Sequence, residues 1–513
     1  MSDMTYEKIP AEQFTFVQEH EKIHDKELQT KARGFFADAM LRFSKNKSSV
    51  IASWILLAMV LYAVFAPIIS PYSVWDKDNI YVNYPPYLSS VAQMNIGLMD
   101  GAKNYKGQNE SSMLYWKAIA QETGMNPLIR ITDTHETQVK QKGQTVTRYT
   151  YDIEVNAYYA LGMMYRNFTY SEYERLQNWQ NETGIQVIYP YVDMADIGGS
   201  IDTTKAPNIW YVVDNSGGAV LDANGEFIPV YSKNVAGAGA PYHSLRIPGD
   251  DGSYAYSTAK AGQVQCRILY YNYYRYINNG LEPTYIMGTN VAGQDIFCGI
   301  GAGARFSLLF AVLVSVINLT IGAIYGALQG YYGGWVDMLL DRIADILYDV
   351  PFVVVTTLFQ LHLASRVGVV PAFLFAFVLT GWIGMASLTR RQFYRFKGQE
   401  FVLAARTLGA SDRRLMFKHI FPNGIGSIIT SCALVIPGVI NSETSMTYLG
   451  IVDLSSFAGT TIGTLLSQGN AVVTSAPHAI LFPSIFLGLL MICFNLFGNG
   501  LRDAFNPTTK GEG

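Results

Sequence analysis

The sequence predicts an all-α membrane protein of six transmembrane helices, with a large α+β insertion between the first and the second. Three observations predict it. Half of the 513 residues are hydrophobic and only 15% are charged, against roughly a quarter in an average soluble chain. The deficit is concentrated, because residues 48–75, 306–336, 367–389 and 479–501 carry no charge at all. Each run reaches the about 20 apolar residues that cross a bilayer core. Between the first two runs, residues 76–284 hold 24 of the 34 tyrosines and most of the acidic residues. That stretch has the composition of a folded aqueous domain.

Residues 1–48 form a polar N-terminal segment of mixed charge. Within it, 31–47 (KARGFFADAMLRFSKNK) interleaves basic and aromatic residues, as either an interfacial helix or a solvated leader would. No cleavable signal pattern precedes the first apolar run, so that run is expected to remain as an anchor. The first membrane segment covers 49–72, its helix ending at Pro67 and Pro71. Further spans are expected at 306–329, 341–363, 369–389, 424–449 and 478–501, within a core of 285–508. Six spans put both termini on one side. Eight Lys/Arg within 1–49 and eight within 390–418 then share that side, which the positive-inside rule makes cytoplasmic. The insertion, 76–284, becomes extracytoplasmic.

The insertion carries 16 Lys/Arg and 21 Asp/Glu, a net −5, which leaves +2 for the rest of a chain whose total is −3. Helices are expected at 112–123 and 171–183, the second opening with Ser171 and Glu174 in capping-box spacing. Strands are expected at 145–155, 185–191, 209–213, 227–231 and 264–275, where β-branched and aromatic residues cluster. The tyrosines fit either a partner-binding surface or core and strand filling.

The stretch at 399–423, QEFVLAARTLGASDRRLMFKHIFPN, is too polar to lie in the bilayer yet has helix character. Leu403, Ala404, Ala405 and Leu408 make an apolar face. Gly409 breaks the helix before Ala410, and Ser411 can cap a second one, expected to end near His419 ahead of Pro422. Two short helices hinged at a glycine would make a rigid knob between spans four and five. Arg406, Arg413, Arg414 and Lys418 offer charge to an acidic cleft or to lipid head groups. An ordinary basic juxtamembrane loop would carry the same charges.

Residue order separates the two. Ala404 and Ala405, Gly409 four residues on, and Pro422 after a hydrophobic residue resemble the coupling loop of ABC import permeases, although Leu403 stands where that family often has Glu and Phe421 where it has Leu. Residues 65–72 (FAPIISPY), 288–308 (GTNVAGQDIFCGIGAGARFSL), 330–337 (GYYGGWVD) with Arg342, Asp345 and Pro351, and 495–507 (NLFGNGLRDAFNP) resemble the OppC/DppC branch, the C-type permeases of peptide and nickel importers. The insertion has no counterpart in the short members. The resemblance implies a permease that forms a pathway with a second, B-type permease. Two cytoplasmic ABC ATPases would grip the coupling loops through Ala404, Ala405, Arg406, Gly409, Ala410, Ser411, Arg414, His419 and Pro422. An extracytoplasmic substrate-binding lipoprotein would deliver a short peptide. No phosphate-binding G-x-x-x-x-G-K-[ST] motif occurs in the chain, so ATP and Mg are expected in the partner subunits and no cofactor in this one.

Asp337, Asp341, Asp345 and Asp349 recur every four residues and share a helical face. Asp337 and Asp341 are read as helix-terminus acids paired with Arg342, Arg390 or Arg391. Asp345, Asp349 and Glu443 are candidates for the pathway or the permease–permease seam, since intramembrane acids usually face a cavity or a partner. Gly322, Gly326 and Gly330 make a small-residue stripe for close helix packing. Cys266 and Cys298 could pair, but no spacing suggests a disulfide framework or a metal site. No catalytic constellation is evident, and nothing points to nucleic acid. Other readings are a nickel or small-solute importer permease, a secondary transporter, or a membrane-anchored extracellular receptor.

Overall fold

The structure, a computed structural model, describes residues 35–94, 96–141, 144–192, 197, 201–202, 204–230 and 256–505. Among the described residues, five helices are long and apolar enough to cross a bilayer: Lys47–Ile69, Ile296–Tyr332, Val369–Phe396, Asp412–Tyr448 and His478–Phe505. The sixth expected span, 341–363, is not one straight helix. It is a pair, Gly334–Tyr348 and Phe352–His362, bent by 74°. The cause is local. Pro351 clashes with helical backbone at Val350, which makes a residue before proline a helix boundary.

The ends of the other spans also differ from expectation. Span one runs through Pro67 to Ile69, and Asn46 caps it by accepting from the Ser49 N–H. A separate amphipathic helix, Phe35–Lys45, precedes it. Residues 31–34 of the segment read as either an interfacial helix or a solvated leader lie outside the described residues. Span two begins ten residues before its uncharged run, where Asp295 accepts from the N–H groups of Phe297 and Cys298. Its 37 residues make it about 55 Å long at 1.5 Å per residue. Many apolar side chains on the spans are exposed, among them Trp54, Ile68, Leu309 and Ile485. In a bilayer those faces meet lipid, while the helix satisfies its own backbone.

The glycine stripe of span two is an interhelical contact. A Cβ at Gly322 would lie 2.7 Å from the Trp382 carbonyl oxygen, at Gly326 2.1 Å from that of Ala386, and at Gly330 2.8 Å from that of Arg390. Spans two and four therefore touch backbone to backbone over two helical turns.

Between spans one and two the described residues build two larger antiparallel sheets and a third of only two strands. Strands are β1 (Tyr87–Leu88), β2 (Ala102–Asn109), β3 (Leu128–Gln141), β4 (Gln144–Asn156), β5 (Met163–Phe168), β6 (Ile188–Tyr189), β7 (Ser257–Lys260), β8 (Gln263–Leu269) and β9 (Thr284–Tyr285). One sheet has the order β2-β4-β3, and in the other β8 pairs with β5, β6 and β7. β1 pairs with β9, in register Tyr87 with Tyr285, and so closes the stem of the insertion. Helices Glu110–Thr123 and Tyr170–Thr183 accompany the sheets. The second is capped by Thr169 and Glu172, not Ser171 and Glu174, because the chain becomes helical two residues earlier. The expected strand 264–275 stops at Leu269 and continues as the helix Tyr270–Ile277. The segments 209–213 and 227–231 make only isolated bridges, Tyr211 with Pro229 and Leu221 with Phe227 among them, and position 231 lies outside the described residues.

The tyrosines resolve toward filling. Tyr81, Tyr87, Tyr158, Tyr270, Tyr271, Tyr274 and Tyr285 are all buried in one cluster. The Tyr81 ring meets Tyr158 at 4.9 Å and Tyr270 at 5.0 Å, both edge-on, the arrangement the ring quadrupole favours. Cys266 and Cys298 are free and buried. Burial pushes the Cys266 thiol up to about 12, so it stays protonated and inert.

Candidate functional site

The segment at 399–423 folds as an elbow. Its first arm is the helix Glu400–Thr407. Val402 is fully buried and anchors this arm on Leu415, Met416 and Ile420, with Ala327, Tyr331 and Phe393 of spans two and four beneath. At the turn Gly409 has φ +84° and open space around it, a left-handed conformation that suits glycine. The Gly409 N–H donates to the Arg406 carbonyl and the Ala410 N–H to the Ala405 carbonyl, which closes the helix end.

The second arm departs from the sequence expectation. Ser411 occupies the cap position, but its hydroxyl makes no capping bond. The helix does not end near His419. It passes through Asp412–Arg414 and a π-helical turn at Leu415–Ile420 into Phe421–Tyr448. Pro422 sits in the first turn of that helix, where a missing N–H costs little, and the wider π turn bridges it to the arm. The elbow is thus one short helix braced against an extension of span five.

A tyrosine that the sequence reading passed over ties the elbow to span two. The Tyr331 hydroxyl donates to Asp412 Oδ1 at 2.5 Å and accepts from Arg406 Nη2 at 3.3 Å. Its signal was its place at the polar end of an apolar run. The apolar face expected at Leu403, Ala404, Ala405 and Leu408 is largely turned outward. Phe401, Leu403 and Leu408 are exposed, Leu408 at 88%. Ala404 is exposed and Ala405 half-buried. Beside them Ser411, Arg413, Arg414, Phe417, Lys418 and Pro422 line an open hollow of about 460 Å³, with His419 half-buried. The surface combines exposed hydrophobic side chains with fixed positive charge, as a protein-docking site does.

The four aspartates split in two pairs. Arg390 donates from Nη2 to Asp337 at 2.6 Å and from Nη1 to Asp341 at 3.0 Å, and the Tyr394 hydroxyl also reaches Asp337. Asp345 lies on the outside with Arg342 at 3.1 Å, and Asp349 is exposed at the bend. Glu443 is in neither group. It is fully buried between spans two and five, where Ser307 Oγ donates to its Oε2 at 2.6 Å. In this conformation its carboxyl opens onto no surface of the chain.

Comparison with known proteins places this arrangement. Residues 300–511 match the model of the binding-protein-dependent transport system inner membrane component. Residues 34–86 match the N-terminal TM domain of oligopeptide transport permease C. The oligopeptide transport system permease protein OppC of Bacillus subtilis is 40% identical over 44% of this chain and 72% of its own length. The dipeptide transport system permease protein DppC of the same organism is 35% identical over 44% of this chain and 68% of its own. The OppC of Haemophilus influenzae is 35% identical over 45% and 72%. With model matches at 34–86 and 300–511, and relatives at least 35% identical and covered over 68–72% of their own length, the chain belongs to the binding-protein-dependent transport system inner membrane components, a multi-pass transporter permease and not an enzyme.

Proposed function

We propose that this permease imports short peptides, forming its pathway with a second, B-type permease and drawing force from two cytoplasmic ABC ATPases through the elbow at 399–423. ATP and Mg belong to those partners. A substrate-binding lipoprotein delivers the peptide on the extracytoplasmic side, where we assign the insertion 76–284, and both termini are cytoplasmic. The observation that carries this reading is the elbow's build. Leu408, Leu403 and Phe401 project from a base whose Val402, Leu415 and Ile420 are completely buried. A lever needs such a combination, because force applied at a loose loop would be spent in bending it.

Asp345 and Asp349, exposed beside the bend of span three, are assigned to the seam with the second permease. Glu443 is assigned to the joint between spans two and five, and so to the pathway only when those spans part. The names of the relatives, oligopeptide and dipeptide permeases, support peptide as the cargo. The test is uptake of a labelled tripeptide into proteoliposomes holding the complete importer, with Ala405→Arg and Gly409→Pro as variants. Loss of uptake and of ATPase co-purification, with normal membrane insertion, is expected. Uptake of nickel but not of any peptide would overturn the cargo, and full uptake by both variants would overturn the lever.

A further inference from the structure

The insertion exposes its apolar side chains at its foot. In the segment between β1 and β2, Met94, Ile96 and Leu98 are 66, 58 and 63% exposed. Trp75 and Leu281, on the two stretches that enter and leave the insertion, are also more than half exposed, and Ile277 nearly so. Over 100–276, a much longer stretch, Tyr170 alone among the described large hydrophobic residues is exposed beyond half. Clustered exposure of this kind marks a surface that something apolar covers.

Hydrogen bonds tie that foot to the end of span one. Tyr72 follows Ile69, the last residue of the span, by three positions. Its hydroxyl accepts from the Thr284 N–H at 2.9 Å and lies 3.2 Å from the Thr284 hydroxyl. Thr284 stands opposite Leu88 in the β1–β9 pair, and the Leu88 N–H donates to the Met99 carbonyl at 2.8 Å. The segment carrying Met94, Ile96 and Leu98 therefore hangs by both ends from the rung that Tyr72 joins to the membrane helix. Ile277 borders the same hollow as Pro71, Tyr72 and Lys77. Ile68 and Ile69 are themselves exposed, so apolar exposure continues from the lipid-facing end of the span to the foot.

The charge pattern indicates the partner. Residues 79–99 and 276–281 carry no charge, whereas Asp76, Lys77, Asp78, Asp100, Arg275 and Glu282 flank them. Charge is costly at acyl-chain depth and cheap near the head groups, so an uncharged patch framed by charge beside a membrane helix has the layering of a lipid interface. We propose that Met94, Ile96 and Leu98, with Trp75, Ile277 and Leu281 beside them, rest in the bilayer interface on the side where span one emerges, against lipid acyl chains. Tryptophan and apolar faces of this kind favour that layer. The contact gives the insertion a second hold on the membrane, since β1 and β9, which close its stem, are two residues each. The proposal needs span one to cross the bilayer and does not depend on the cargo.

The experiment reads depth with a bimane label on Ile96→Cys or Leu98→Cys, in the complete importer reconstituted into phosphatidylcholine nanodiscs. Thr147→Cys, exposed on β4, is the aqueous control, and the wild type gives the background from its four native cysteines. In lipid brominated high on its acyl chains the bromines lie near the depth of about 5–10 Å that an interfacial apolar face reaches, so fluorescence at 96 and 98 should fall by about half. The label at 147 should keep its intensity. Aqueous iodide should quench the label at 147 and spare those at 96 and 98. If iodide reaches 96 and 98 as readily as 147, with no loss in brominated lipid, the proposal is overturned and the segment lies in water. Shielding from iodide without loss in brominated lipid would also overturn it, and would assign the patch to a protein neighbour.

Discussion

Arg390 Nη2 lies 2.6 Å from Asp337 Oδ2, and this contact joins the end of span four to the helix that follows span two. The same guanidinium reaches Asp341 at 3.0 Å, so one cation serves two carboxylates. Arg390→Gln leaves both without their charge partner, Asp337 being only 7% exposed. Breaking a buried pair costs 3–5 kcal/mol and an exposed one under 1, so about 2 kcal/mol is expected for this half-buried pair. Thermal unfolding of the detergent-solubilised protein should show a lower midpoint, with Arg390→Lys in between. An unchanged midpoint for Arg390→Gln would contradict the assignment.

Gly326 and Gly384 should respond oppositely to alanine. A Cβ at Gly326 would sit 2.1 Å from the Ala386 carbonyl oxygen, whereas one at Gly384 meets nothing within 4 Å. Gly326→Ala must push spans two and four apart, at about 1–3 kcal/mol for an overpacked contact. Gly384→Ala should match or slightly exceed the wild type, since alanine is the better helix former. The two midpoints measured side by side check this.

Asp295, just outside the start of span two, carries a pH signature. Burial pushes its carboxyl up to about 6, against the N-terminal hydrogen bonds that oppose the rise. A raised pKa means that the folded state holds the proton more tightly than the unfolded one. The stabilisation this gives is full below about pH 4 and is lost as pH rises through 6. Asp295→Asn keeps an acceptor at the cap without the charge. The stability difference between variant and wild type should therefore shift in the variant's favour between pH 4 and 7, read from unfolding midpoints across that window.

Arg267 is the pin of the insertion. It is completely buried, donating from Nε to the Pro207 carbonyl at 2.6 Å and from Nη1 to the Pro190 carbonyl at 3.0 Å and to Glu122 at 3.2 Å. Arg267→Met takes the buried guanidinium away from Glu122 and from the Pro190 and Pro207 carbonyls and should cost about 3–5 kcal/mol. Limited proteolysis should then cut within 87–285 while spans two to six stay protected.

Sequence legibility followed the range of the forces. The uncharged runs located the membrane helices, because the bilayer acts on composition over about 20 residues. The stripe of Gly322, Gly326 and Gly330 announced a close helix contact, because spacing by four fixes one face. The pairing of Arg390 with Asp337 and Asp341 was legible from charge in an apolar setting. Details set by a few atoms were not. The bend before Phe352 depends on one proline. The strand read at 264–275 was too long because tyrosines favour strands while tertiary packing made Tyr270–Ile277 a helix. At the elbow, Ala404, Ala405 and Gly409 marked the segment, but the continuation of its second arm through Pro422 rests on a π turn with no compositional signature.

The central claim is that the elbow transmits force from an ATPase, and Leu408, at 88% exposure, is the residue to ask. With cysteine at 408 in the complete importer, in sealed cells, a short bifunctional maleimide should join this chain to an ATPase subunit. A membrane-impermeant maleimide added outside should leave position 408 unlabelled. Labelling of 408 from the outside, or cross-linking to everything but the ATPase, would contradict the account.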